Sequence, residues 1–217
     1  MGAVKAYQYY CSITETTATF KVVYPSGQID YFSAEEFVDA LNVAKEIVFL
    51  KNLQLNSTVA VRWEPRNDLT IDLNGKTWTE NGDVSYMLQC SKSDYTLKIV
   101  DGSGDCSGKM IFNATQNGIA MFSLYAPIVI TNGTFISNCN VFYIHGSNYG
   151  TEQEYETLIY AIQGGTFVGG VLIGDFAYIG KLIISGGSFT FDPTQYLSTG
   201  LVAEFDGEGV YCVKYDN

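Results

Sequence analysis

Positive charge is scarce in this 217-residue chain: twelve Lys and Arg stand against twenty-three Asp and Glu, a net −11 at pH 7. Nucleic-acid binding rests on neutralising phosphates with basic side chains, so no nucleic-acid partner is expected. An anionic membrane surface is disfavoured for the same reason. No apolar run reaches the roughly 18 residues of a spanning helix, so no membrane insertion is expected. The opening MGAVKAYQYYCS shows no basic segment leading into an apolar one, and no signal peptide is read there. Cysteine is sparse and its number is odd: Cys11, Cys90, Cys106, Cys139 and Cys212, widely spaced and without a CxxC pair. That excludes zinc and dithiol motifs, reads as buried free thiols, and sits awkwardly with an oxidising compartment.

Catalytic chemistry is equally thin. A polysaccharide lyase needs a base and cations to stabilise the anion it forms, yet Arg62 and Arg66 are the only arginines. A glycoside hydrolase needs two carboxyl groups at a set separation. Glu152, Glu154 and Glu156 alternate in TEQEYET with Asp175 one coil later, a pattern that equally suits a solvated loop. His145 is the sole histidine and reads as a strand-end residue. Asp101-Gly-Ser-Gly-Asp105 has a superficial likeness to a calcium loop but lacks the closing Glu, so no cofactor is expected, with Ca2+ a minor alternative.

What is abundant is glycine (22), tyrosine (16) and phenylalanine (13), within 47% hydrophobic residues and only 16% charged ones. These favour strands separated by tight turns. The phrases ITNGTF, IQGGTF and ISGGSF recur, and they align on Gly133, Gly165 and Gly187, with Gly102, Asn74 and Asn52 upstream. Three residues before each stand Ile184, Ile162, Ile130, Ile99, Ile71 and Phe49; five before stand Leu182, Tyr160, Ile128, Leu97, Leu69 and Ile47. Residues two apart share one face of a strand, so repetition on every coil predicts an internal aliphatic ladder. Asn tolerates the left-handed conformation and can replace Gly at such a corner.

Phe135, Phe167 and Phe189, each two residues after its glycine, predict an aromatic stack. Further β-favouring runs follow each corner: STVAVRW, DVSYML, GIAMFSL, NVFYI and GVLIG. The reading is an all-β protein, a right-handed parallel β-helix, with a β-sandwich as the alternative. Residues 1–46 are expected to form an N-terminal hairpin turning at Pro25-Ser26-Gly27 plus a capping helix, residues 47–192 the coils, and 193–217 a closing hairpin around Asp206-Gly207, in one continuous domain. Ser33 and Glu36 fit a capping box, and Phe37, Val38, Leu41 and Ala44 recur at helical spacing.

DLTIDLNGKTWT, the GGTF-type coils and GGSFTFDPTQYLSTGLVAEFDGEGVYCV together resemble pectate-lyase-like β-helix repeat proteins of gut bacteria and their phages, over roughly residues 33–217. The resemblance implies the fold; its members include surface proteins, phage components and polysaccharide-active enzymes, and fold alone licenses no chemistry.

Three functional classes remain open: a non-catalytic surface adhesion or glycan-binding module, a phage tail, virion or other assembly component, and a polysaccharide lyase or hydrolase. The first is expected at an extracellular or cell-surface location. The second would be a virion part, where oligomers would be expected. Sugar recognition relies on aromatic faces flanked by amides and carboxylates. The candidate ligand residues are therefore Asn148, Tyr149, Gln153 and Tyr155 in the longest insertion, with Trp78 and Tyr86 around another loop.

Overall fold

The computed structural model describes residues 14–90, 94–144, 159–173 and 182–216. The chain folds as a right-handed parallel β-helix whose coils have three faces. The first face stacks strands Glu46–Phe49, Leu69–Asp72, Leu97–Val100, Ile128–Ile130, Tyr160–Ile162 and Leu182–Ile184. The second stacks Leu53–Leu55, Thr77–Glu80, Lys109–Phe112, the starts of Thr134–Ile144 and Thr166–Ile173, and Ser188–Phe189. The third runs through Val61–Trp63, Tyr86–Cys90 and Ala120–Leu124 onto the far halves of those two long strands. The β-favouring runs read behind each corner are this third face.

The aliphatic ladder is present. Ile99, Ile130, Ile162 and Ile184 pair in succession and are fully buried. It continues down to Ile71 and then Ile47. Here the sequence alignment slips: Ile47 lies opposite Ile71, not Leu69, so the first coil stands two residues out of the expected register. Asn52 accordingly does not take a left-handed corner; its side-chain oxygen accepts the Thr77 N–H at 2.9 Å.

The corners of the later coils follow the glycine pattern. Gly133, Gly165 and Gly187 have φ of 102°, 103° and 111°, and Asn74 has φ 46°. Gly102 does not: after the inserted residues the positive φ falls on Cys106, at 51°, in the register position of Asn74, and Gly108 supplies the carbonyl that accepts the Thr134 N–H. Directly after these corners Phe135, Phe167 and Phe189 stack at 4.9 and 5.0 Å with ring planes within 7° and 6° of parallel. Below them Met110, Trp78 and Leu53 occupy the same inward row.

Both ends are plugged by non-repeating elements. At the start, strand Phe20–Val23 pairs antiparallel with Ile29–Phe32 and with Glu46–Phe49, the hairpin turning at Gly27. A 3-10 turn, Ala34–Glu36, leads into helix Phe37–Val43, and the capping box forms as Ser33 N–H donates to the Glu36 carboxylate at 2.8 Å. Phe37, Ala40, Leu41 and Ala44 are buried, whereas Val38 faces solvent at 44% exposure, being one residue off the buried stripe. Phe37 meets Phe20 at 5.0 Å and Trp78 at 4.8 Å, sealing the core. At the far end the 3-10 turn Thr194–Tyr196 buries Tyr196, and Leu197 bridges to Ile184 over the first face. Strands Leu201–Phe205 and Tyr211–Tyr215 form the closing hairpin, joined to Ser188–Phe189.

Truncating one rung leaves a void between two others. Ile130→Ala or Ile162→Ala is expected to lower unfolding free energy by about 2–5 kcal/mol in urea titrations; a loss under half a kilocalorie would contradict the packed ladder. Gly165→Val is expected to destabilise strongly as well. Its φ of 103° resists a β-branched residue, and a Cβ would lie 2.9 Å from the Gly133 carbonyl oxygen. A wild-type melting temperature for this variant would refute the corner.

Candidate functional site

Of the six residues expected to touch a ligand, Asn148, Tyr149, Gln153 and Tyr155 lie outside the described residues, as do His145, Glu152, Glu154, Glu156 and Asp175. Trp78 must be withdrawn as a surface residue. It is fully buried, flanked by Leu53 and Met110 in the inward row and stacked on Phe49 at 6.4 Å. The reason is the Asn74-Gly75 corner, in which both residues have positive φ, so the inward position falls four residues after Asn74 rather than two.

Tyr86 does reach the exterior, on the third face, and brings a partner that the sequence reading passed over. Its ring stacks with Tyr143 at 6.1 Å and 19°. The two tyrosines belong to strands separated by Ala120–Leu124, and Tyr86 lies level with Ala120 and Asn140, three residues before Tyr143, so their backbones are offset both across and along the sheet. The rings therefore lean toward one another across the middle strand. Small residues permit this: Ser123 follows the core residue Phe122, turns outward by strand alternation, and is buried nonetheless. Along the same outward row Arg62 pairs with Gln89, Gln89 with Ser123, and Tyr143 with Leu172. The Arg62 guanidinium donates to the Gln89 side-chain oxygen at 3.2 Å. The third face thus presents a cation, an amide, Tyr143 and an aliphatic residue in one row, with Tyr86 reaching Tyr143 from three residues along the face.

Carboxylates elsewhere are engaged in holding coils together. Glu80 is fully buried and accepts the Ser57 N–H at 2.9 Å, the Ser57 hydroxyl at 2.6 Å and the Gly82 N–H at 2.7 Å. Gly82 is needed there because a Cβ would fall 1.9 Å from the Ser57 carbonyl oxygen. Asp72 accepts the N–H groups of Asn74 and, one coil on, Gly102. Asp101 accepts Gly75, Ser103 and Gly108 N–H groups together with the Ser103 hydroxyl, while its own N–H donates to Asn132.

Burial pushes the Asp101 carboxyl up, but the Ser103 hydroxyl and the three backbone donors outweigh it and hold it below the usual Asp range. Asp83 is held low by Thr115 and Asn117, Asp105 by Ser107 and Ser103, Asp192 by Thr194, and Asp206 by the Val210 and Glu208 N–H groups. A general acid needs the opposite shift. Both carboxylates of the calcium-like stretch Asp101–Asp105 are thus turned onto N–H and hydroxyl donors. Among the described residues no three His, Cys, Asp or Glu side chains converge on a point where a metal could sit.

Cys106, Cys139 and Cys212 carry free thiols, but only Cys90 among the described cysteines is buried, and burial pushes its thiol up to about 12. Cys106 and Cys212 are exposed, which corrects the expectation that all are sequestered. Among the described residues no helix is long and apolar enough to cross a membrane. No protein-family model, curated protein or solved structure matches the chain.

Because the Asp101 value is lowered by folding, the unfolded chain binds the proton more readily than the native one. The stability this group contributes is therefore complete above the ordinary Asp value near 3.9 and is lost as pH falls through the lower folded value. Asp101→Asn should remove that part of the acid dependence. It should also cost about 1–3 kcal/mol at neutral pH, since an amide nitrogen would face a backbone donor. Denaturation curves from pH 2 to 7 check this, and coincident curves for the two proteins would contradict it.

Proposed function

We propose that the protein is a non-catalytic glycan-binding or adhesion module whose recognition surface is the exterior of the third face. The observation that supports this reading is the Tyr86–Tyr143 stack beside the Arg62–Gln89 pair. Sugar rings offer flat C–H faces to aromatic rings and hydroxyls to amides and guanidinium groups, and this face supplies each of those partners. A β-helix suits the task because its coils tie the row to a rigid core, so little ordering entropy is lost on binding. Each described carboxylate with a shifted pKa is shifted downward, which favours binding over acid–base turnover.

A glycan array probed with the full chain tests the proposal. Binding to a defined glycan class is expected, and Tyr143→Ala should weaken it roughly 5- to 10-fold, the scale of one aromatic contact. The Arg62→Ala protein should bind more weakly too, with an unchanged melting temperature. Depolymerisation of any arrayed polysaccharide would put an enzyme in place of a binder. Neither binding nor turnover would favour an assembly component.

A further inference from the structure

The first and second faces end differently. On the first, Leu197 bridges to Ile184 and Ser198 N–H donates to the Ile184 carbonyl at 2.9 Å, so the last strand is covered. On the second, the sheet runs on into the closing hairpin and stops at Leu201–Phe205, whose outer side among the described residues carries only the Leu201 N–H bond to the Ser198 carbonyl at 3.3 Å. Edge strands are commonly blunted by proline, lysine or a bulge. This one, Leu-Val-Ala-Glu-Phe, has none of these, and its one charge, Glu204, is paired with Lys214 at 2.6 Å.

The hairpin is also sharply two-sided. Phe189 points into the core and pairs with Tyr211, so alternation puts Tyr211, Val213 and Tyr215 on the core-facing side, opposite Phe205, Ala203 and Leu201. That side is aromatic and aliphatic and carries no charge, yet Phe205 is 52% and Tyr215 77% exposed. The other side carries Val202, Glu204, Cys212 and Lys214.

We propose that Leu201–Phe205 is a dimerisation edge that pairs antiparallel with the same strand of a second copy, about a twofold axis at Ala203. The strand is self-complementary in that register. Leu201 meets the second copy's Phe205, Ala203 meets Ala203, and Val202 meets Glu204. The apolar sides of two hairpins then join into one four-stranded surface, and each Glu204 keeps its Lys214. A parallel, in-register pairing would instead set Glu204 beside Glu204, which is unfavourable. Charge is compatible with this register as well. The Glu204–Lys214 pair neutralises the one charge on this strand, and in this register Asp206 of the adjoining turn meets Gly200 of the second copy rather than a like charge.

Sedimentation equilibrium of the full chain, run across a wide concentration range under reducing conditions, tests the proposal. A reversible monomer–dimer equilibrium is expected. Ala203→Lys, which opposes two lysines on the axis, should weaken it at least tenfold. Phe205→Glu, at an exposed position that tolerates charge, should do the same with the wild-type melting temperature, so the result stands even if Ala203→Lys misfolds. Ala203→Cys should form an intermolecular disulfide on mild oxidation much faster than the native thiols do. A monomer at every concentration, or a dimer indifferent to Phe205→Glu, would overturn the assignment. Neither outcome depends on glycan binding.

Discussion

Coil-on-coil hydrogen bonding at the first corner sets everything above it. The Lys109 N–H bonds to the Lys76 carbonyl, Thr134 to Gly108, Thr166 to Gly133, Ser188 to Gly165, and finally Val213 to Gly187. Each bond fixes the height and register of the next coil. Only then can side chains two residues apart land on their counterparts above and below. The isoleucine ladder and the phenylalanine stack follow from that registry, since a one-residue slip would turn every inward side chain to solvent. The glycines matter because they let the chain turn at positive φ while passing within van der Waals contact of the corner beneath. Polar side chains reinforce the same registry from outside: Asp72, Asp101 and Asn132 bond across coils at the first corner, Glu80 at the second.

Where coils share a corner of the same length, the sequence is a reliable guide. Gly133, Gly165 and Gly187 carry identical spacing to an isoleucine before and a phenylalanine after, and all three coils superimpose as read. The reading fails where corner lengths differ. Asn74-Gly75 adds two residues, which carries Trp78 into the core, and the 103–107 insertion moves the positive-φ corner from Gly102 to Cys106. The first coil slips for a different reason: its lower neighbour is the antiparallel strand Phe20–Val23, so Glu46–Phe49 is positioned from both sides rather than by its own spacing to Asn52.

The surface is harder to read than the core because alternation alone does not say which outward residues meet. Tyr143 sits in NVFYI with the parity of an outward residue, and that signal was available. Its meeting with Tyr86 passes over the small residues Ala120 and Ser123 on the strand between, a relation across 57 residues of chain that no local pattern encodes. Glu80 is a comparable case. An acidic residue at a strand end reads as solvated, yet Ser57 and Gly82 enclose it and satisfy both oxygens. Recognition residues on a β-helix are set by such lateral meetings between coils, so the fold can be legible while the ligand surface is not.

Nearest-neighbour registry makes a thermodynamic claim that a double-mutant cycle tests directly. Ile130 and Ile162 are adjacent rungs, whereas Ile71 and Ile162 are separated by Ile99 and Ile130. Alanine substitutions at Ile130 and Ile162 should couple by at least about 0.5 kcal/mol, while those at Ile71 and Ile162 should add within about 0.5 kcal/mol. Equal coupling for the two pairs, or none for the adjacent one, would contradict a core built rung upon rung.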